Sequence, residues 1–329
     1  MSSHEPLYAS ADLGGTNIAA LLANEAGHVI ANGTIPTRSY EGPEAVVDRI
    51  GTLIESLQQQ AGRPPVALGI GVPGLANLPA GETLFLPNLV TQWRNVPVRA
   101  WLRPRLHCEV FLLNDVRMAA LGELAYGHGK SIKNFAFYAL GTGVGGGIVM
   151  DGRLMLGRFG SIGELGHQTI EPAGLLCGCG NRGCLELYIS GPALTAEGVR
   201  LLLSGQAPRL NEIVQGDIGK VNVKLMGAAA EAGDERVRAS IVRAAQCLGV
   251  GIANTITTLH PEMIVLGGGV AGLGAILFDT VREVVKQRVH MFPTDDIRVE
   301  PSLLGDQAGP LGGIALAVRH GLLQELAAS

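Results

Sequence analysis

Residues 11–22 read "ADLGGTNIAALL". An apolar run ends at a carboxylate, breaks at Gly14-Gly15-Thr16 and resumes as a second apolar run, which is the pattern of strand, tight turn, strand. Residues 139–150, "ALGTGVGGGIVM", repeat it in kind about 130 residues later. A short period would indicate a solenoid. This spacing predicts two similar α/β domains facing one another across a cleft.

The flanking sequence fits that reading. Val46, Val47, Ile50, Leu53, Ile54 and Leu57 fall on one helical face. "PVALGIGVPG" and "CEVFLLND" read as buried strands, the second feeding a helix that begins near Asp115. Val237, Ile241, Ala245, Leu248, Ile252, Ile256 and Leu259 mark a long helix, and "EMIVLGGGV" follows as strand and glycine loop. "AGPLGGIALAVRHGLLQEL" reads as a closing helix. No low-complexity linker separates the halves. The expected division is a smaller N-terminal domain, 1–116 plus 311–329, and a larger domain, 117–310.

With 25 Lys and Arg against 29 Asp and Glu in 329 residues, the chain carries −4 and no block of like charge. That argues against a nucleic-acid partner and against a basic membrane anchor. The N-terminus lacks a signal-peptide pattern, and no segment approaches the ~20 apolar residues of a membrane span. A cytoplasmic location is expected, and there clustered cysteines are more often metal ligands than disulfides.

Glycine turns admit the close backbone approach and positive φ angles that phosphate groups require. Gly14, Gly15 and Thr16 could form such a cradle, with Asp12 at the strand end holding Mg²⁺ through its water shell. Gly141 to Gly147 could grip the phosphates from the other side, and Gly267, Gly268 and Gly269 form a third loop. The plainer alternative is hairpins whose glycines only make turns. Both hairpin loops run into a second strand, not a helix, which disfavours a Rossmann fingerprint.

Asn114 and Asp115 sit where a buried strand meets a helix. Asp115 reads either as the helix N-cap or as a base that accepts a proton from an attacking hydroxyl. Asn114 would orient that substrate. In "CGCGNRGCLE", residues 177–186, Cys177, Cys179 and Cys184 follow His167 closely. Four N/S ligands in so short a span suit one closed tetrahedral Zn²⁺ site; a local disulfide or free thiols are the alternatives.

On "DLGGTN", "GVPG", "LPNL", "ND…AALGE", "LGTGVGGG", "GELGH", "CGCGNRGCLE" and "LGGGV", the chain resembles the ROK family (repressor, open reading frame, kinase) over essentially its full length. The pairing of "GELGH" with the cysteine element is the most specific feature. The resemblance implies two ribonuclease H-like domains of the actin- and hexokinase-like ATPase type, with a zinc-binding loop. It implies ATP-dependent phosphorylation of a hexose 6-hydroxyl, glucose first, with Asp115 as catalytic base. Gly74, Asn88, Asn114, Glu164, His167 and Glu186 match sugar-binding positions. Asp12, Gly14, Gly15, Thr16, Asn17, Thr142 and Gly143 match phosphate contacts, and Gly268 and Gly269 match the nucleoside contacts. His167, Cys177, Cys179 and Cys184 match ligands of a structural zinc.

Family relatives also imply a homodimer. Other hexoses and N-acetylhexosamines are alternative substrates. A sugar-responsive regulator is the alternative of a different class, disfavoured because only eleven residues precede Asp12 and leave no room for a helix-turn-helix. One departure stands out: the family commonly reads N-D-A-N-A-A, whereas this chain has Arg117 two positions after Asp115. Arg117 is expected at the surface, with contact to a carboxylate or to the phosphate side as the alternative.

Overall fold

In a computed structural model, residues 5–157 and 160–322 are described. They form two compact units, one made of 5–133, 147–157, 160–163 and 302–322, the other of 134–146 and 164–301.

The first unit opens with β1 (Tyr8–Leu13), β2 (Asn17–Ala23) and β3 (Val29–Pro36), an antiparallel meander. Helix α1 (Pro43–Ala61) follows, started by Pro43 and stopped by Gly62 at φ 71°. It buries the six apolar residues that the periodicity marked. Next come β4 (Ala67–Val72), the hairpin β5 (Leu75–Asn77) and β6 (Glu82–Phe85), α2 (Val98–Leu106), β7 (Glu109–Asn114) and α3 (Asp115–Tyr126). The main sheet runs β3-β2-β1-β4-β7, with β1, β4 and β7 parallel. Asp12 lies beside Gly71, and Val72 beside Asn114, so the carboxyl ends of these three strands align at one edge. Open α/β sheets place their chemistry at that edge.

The second sheet repeats this order. It contains β8 (Phe135–Leu140), β9 (Val144–Met150) and β10 (Arg153–Leu154), arranged β10-β9-β8-β11-β12, and the division between units falls within β9. Five helices, α4 (Glu186–Ile189), α5 (Gly191–Leu203), α6 (Pro208–Val214), α7 (Val223–Glu231) and α8 (Glu235–Leu259), precede β11 (Met263–Gly267). Then come α9 (Ala275–Arg288) and β12 (Arg298–Pro301). Ala139 of β8 pairs with Gly267 of β11, which sets the two glycine loops beside each other. Asp234 caps α8 through the Val237 N–H. Among the described residues α8 is the one helix long and apolar enough to cross a membrane, but it is mostly packed inside the protein. Its Ile241, Leu248, Ile252 and Ile256 are fully buried.

The closing helix α10 (Ala308–Val318) belongs to the first unit and ends earlier than its apolar pattern suggests. Gly321 adopts φ 69° just beyond it, and 323–326 lie outside the described residues. Its glycines let it lie almost in backbone contact with its neighbours. A Cβ at Gly312 would overlap the Met118 carbonyl, and one at Gly313 would overlap Ser10 Oγ. Facing glycines do the same: a Cβ at Gly69 would strike the Gly313 carbonyl, and one at Gly122 the Ala308 carbonyl. Close packing of this kind replaces long apolar side chains with dense backbone contact.

Candidate functional site

The aligned strand ends of the first unit gather Asp12, the Gly14–Asn17 turn, Gly74, Asn114 and Asp115. Gly14 N–H donates to the Asn17 carbonyl at 3.0 Å, and Thr37 Oγ1 donates to the Gly14 carbonyl at 2.7 Å, so the turn is closed from both sides. Gly15, Thr16 and Asn17 are exposed. Asn114, not Asp115, caps α3: its Oδ1 accepts the Val116 and Arg117 N–H groups at 3.1 Å. Its Nδ2 donates to the Gly74 carbonyl at 3.2 Å and to Asp115 Oδ1 at 3.0 Å. The amide of Asn114 therefore fixes the orientation of the half-buried Asp115 carboxylate. Asn88 is exposed on a loop pinned by Trp93, which is 2% exposed and whose carbonyl accepts the Leu86 N–H at 3.0 Å.

Asp12 is half-buried between Gly71 and Gly309, where a Cβ on either would lie within 3.1 Å of a carboxylate oxygen. Burial, and then the charge of Asp115, push its carboxyl up to about 7. A divalent cation relieves both causes, so this pair of acids suits Mg²⁺ bound through water. The pH dependence follows. An unfolded Asp titrates near ~3.9, so between there and about 7 the native state holds the extra proton. Stability contributed by this residue falls as pH rises through that window. Asp12→Asn should therefore stabilise the nucleotide- and metal-free protein against urea at pH 8 and lose that advantage towards pH 4. An equal effect at both pH values would contradict the shift.

Arg117, expected at the surface, is buried at 2% exposure, and its Nε donates to the Ile162 carbonyl at 2.8 Å. Gly147 and Ile162 both meet this face of α3, and the Gly147 backbone comes so close that a Cβ there would overlap Ala120. That cover comes from a distant part of the sequence, so helical periodicity could not reveal it. Arg117→Ala should cost about 2–4 kcal/mol by urea denaturation, against the ~0.5 kcal/mol of a surface change. Glu123 is also fully buried. It accepts the Ser302 hydroxyl, the Leu304 N–H at 3.1 Å and the His128 N–H at 3.3 Å.

The second unit gathers the remaining candidates around the β8–β9 loop. Glu186 Oε2 accepts the Val144 N–H at 2.9 Å, and a Cβ at Gly143 would overlap that carboxylate. Gly166 likewise admits the Val144 carbonyl, which brings the Glu164–His167 turn against the same loop. The Glu164 carbonyl accepts the His167 N–H at 3.1 Å, and its side chain is exposed. A Cβ at Gly268, φ 82°, would crowd the Leu140 carbonyl at 2.5 Å. Thr142 and Gly269 are exposed on the two adjacent loops.

His167, Cys177, Cys179 and Cys184 have ligand atoms all within 4.8 Å of one another. Cys177 Sγ lies 3.7 Å from His167 Nδ1, and Cys179 Sγ lies 3.7 Å from Cys184 Sγ. A tetrahedral site with ~2.3 Å Zn–S bonds has S···S edges of about 3.8 Å, whereas a disulfide would need ~2.05 Å. The four groups could therefore hold one cation, and none of the three cysteines forms a disulfide. Because Nδ1 faces the sulfurs, Nε2 is left for other contacts.

Gln168, Gly166 and Glu123 went unread in the sequence. Gly166 sits inside "GELGH", where a glycine beside a histidine was the available signal of close backbone approach.

A family model described as ROK family matches residues 8–320. The glucokinase of Thermotoga maritima is 35% identical over 308 residues, covering 93% of this chain and 95% of that protein. The xylose repressor of Caldicellulosiruptor bescii is 32% identical over 310 residues, covering 93% of this chain and 77% of that protein. The crystal structure of a ROK family glucokinase from Streptomyces griseus, in complex with glucose and AMPPNP, matches with a TM-score of 0.83 at 31% identity, covering 95% of this chain and 99% of that one. With the doubled sheet order and the Cys/His cluster beside them, these likenesses place the chain in the ROK family, within the actin- and hexokinase-like ATPase superfamily.

Proposed function

We propose that the protein is an ATP-dependent sugar kinase that phosphorylates the 6-hydroxyl of a hexose, glucose first. The observation that carries this reading is Asp115: a half-buried carboxylate at a strand's carboxyl end, aimed by Asn114 and close enough to Asp12 to raise its pKa. In this reading Asp115 takes the proton of the attacking hydroxyl as the γ-phosphoryl is transferred in line. Asp12 holds Mg²⁺ through water. The N–H groups of Gly15, Thr16, Asn17, Thr142 and Gly143 receive phosphate charge, Gly14 closes the turn that presents them, and Gly268 and Gly269 lie against the nucleoside. Gly74, Asn88, Asn114, Glu164, His167 and Glu186 bind the sugar.

Zinc on His167 and the three cysteines is structural: it would fix the imidazole ring and the loop that carries Glu186, and would leave no open coordination position. A homodimer in the cytoplasm completes the proposal. A coupled ADP-release assay across hexoses and N-acetylhexosamines tests it. Glucose is expected to give the highest kcat/KM; a chain that releases no sugar-dependent ADP is not a kinase.

The likeness to xylose repressors supports a second reading, a sugar-responsive regulator. Sugar-modulated retention of genomic DNA fragments in a gel-shift would favour it.

A further inference from the structure

Behind the His167 turn lies a polar cluster that neither the proposed chemistry nor the metal ligands use. Gln168 Nε2 faces the Leu165 carbonyl at 3.2 Å, Thr255 Oγ1 at 3.3 Å and Tyr138 Oη at 3.4 Å. The two hydroxyls are 2.8 Å apart, and Tyr138 Oη donates to the Gly251 carbonyl at 3.4 Å. Tyr138 is 0% and Thr255 4% exposed, so the cluster stands in the core of the second unit, on β8 and α8.

Gln168 also has a main-chain role. Its carbonyl accepts the N–H of Leu185 at 2.9 Å, the residue between Cys184 and Glu186. The Leu185 side chain in turn packs over Gly251, where a Cβ would lie 2.8 Å from it. One residue thus ties the segment carrying His167 to the segment carrying Glu186, and ties both to a rigid strand and helix.

We propose that Gln168, held by Tyr138 and Thr255, is a positioning residue that sets the orientation of His167 and Glu186 and thereby the hexose affinity of the site. The inference rests on the sugar-kinase reading and adds to it a second anchor for the imidazole, independent of the metal. An apolar trio of the same shape would fill the space with similar stability, because replacing both partners of a buried hydrogen bond is close to neutral. Directional bonds contribute one defined geometry, and a binding site needs its groups held to within ~0.5 Å.

The test uses zinc-loaded protein and the near-isosteric variants Gln168→Met, Thr255→Val and Tyr138→Phe, with Thr255→Ser as the conservative control. Hexose KM, ATP KM, kcat, direct hexose binding by titration calorimetry, zinc per chain and Tm are measured for each. Gln168→Met and Thr255→Val should weaken hexose binding about fivefold, the loss of one buried hydrogen bond. ATP KM should stay within about twofold and zinc content unchanged, and Thr255→Ser should restore wild-type hexose KM. Tyr138→Phe combined with Thr255→Val should weaken binding by less than the product of the single effects. A lowered Tm with wild-type hexose KM, or equal rises in hexose and ATP KM, would overturn the inference. Wild-type protein that binds no hexose overturns the kinase reading and this inference together. Wild-type protein that turns hexose over, with every variant at wild-type affinity, overturns this inference alone.

Discussion

Asp115→Asn is expected to lower kcat by about 10³-fold, near the middle of the range for a general base, while hexose KM stays within about threefold. The two effects separate because the substitution conserves shape. Asn at 115 keeps an oxygen that can accept the Val116 N–H now bonded at 2.9 Å, and the Asn114 cap on α3 does not depend on it. What it removes is proton affinity. A neutral amide cannot take the hydroxyl proton as the O–P bond forms, so the loss falls on the transition state and leaves the bound sugar largely untouched. The measurement is steady-state ADP release alongside glucose binding to the variant. A variant with near-normal kcat would remove Asp115 from the role of base, and one that loses glucose binding equally would make it a structural residue.

Cys184→Ser should have the second large effect. Cys184 is fully buried, with its sulfur 3.7 Å from Cys179 Sγ and 3.6 Å from the His167 carbonyl. A structural zinc contributes ~10–16 kcal/mol of apparent binding energy in small sites, so losing one ligand of four releases much of what orders the loop. Zinc should fall from one per chain to near zero by elemental analysis, and hexose KM should rise about tenfold or more. Cys108→Ala and Cys247→Ala should retain the metal, since neither thiol belongs to the cluster. Metal-free protein with unaltered hexose affinity would show that the cluster does not govern the sugar-facing imidazole.

The β1–β2 and β8–β9 hairpins were legible because strand, turn and strand are contiguous, and glycine is the residue such turns select. The α1 face was legible for the same reason, since its six large buried apolar side chains recur at helical spacing. The three cysteines lie within eight residues, so spacing alone forecast a cluster, and the structure brings their sulfurs and a His167 nitrogen within 4.8 Å of one another. Arg117 is buried against expectation because its cover comes from around Gly147 and Ile162, and no local pattern reports what a helix will meet. Gln168 carried no signal either: Tyr138 is 30 residues away and Thr255 87 residues away. Asp115 and Asn114 were both seen, but only the backbone geometry decided which of them caps the helix.

Neighbouring residues were enough to specify the repeated strand–turn–strand openings, the acid at the strand end and the gathering of three cysteines with His167, because each is written in residues whose conformational preferences act over a few positions. The tertiary structure alone decided the β3-β2-β1-β4-β7 order, the glycine-mediated seat of α10, the burial of Arg117 and the tie between His167 and Glu186. Those depend on contacts between segments far apart in the chain, whose free energies are set by packing and desolvation at the point of contact, not by any local propensity.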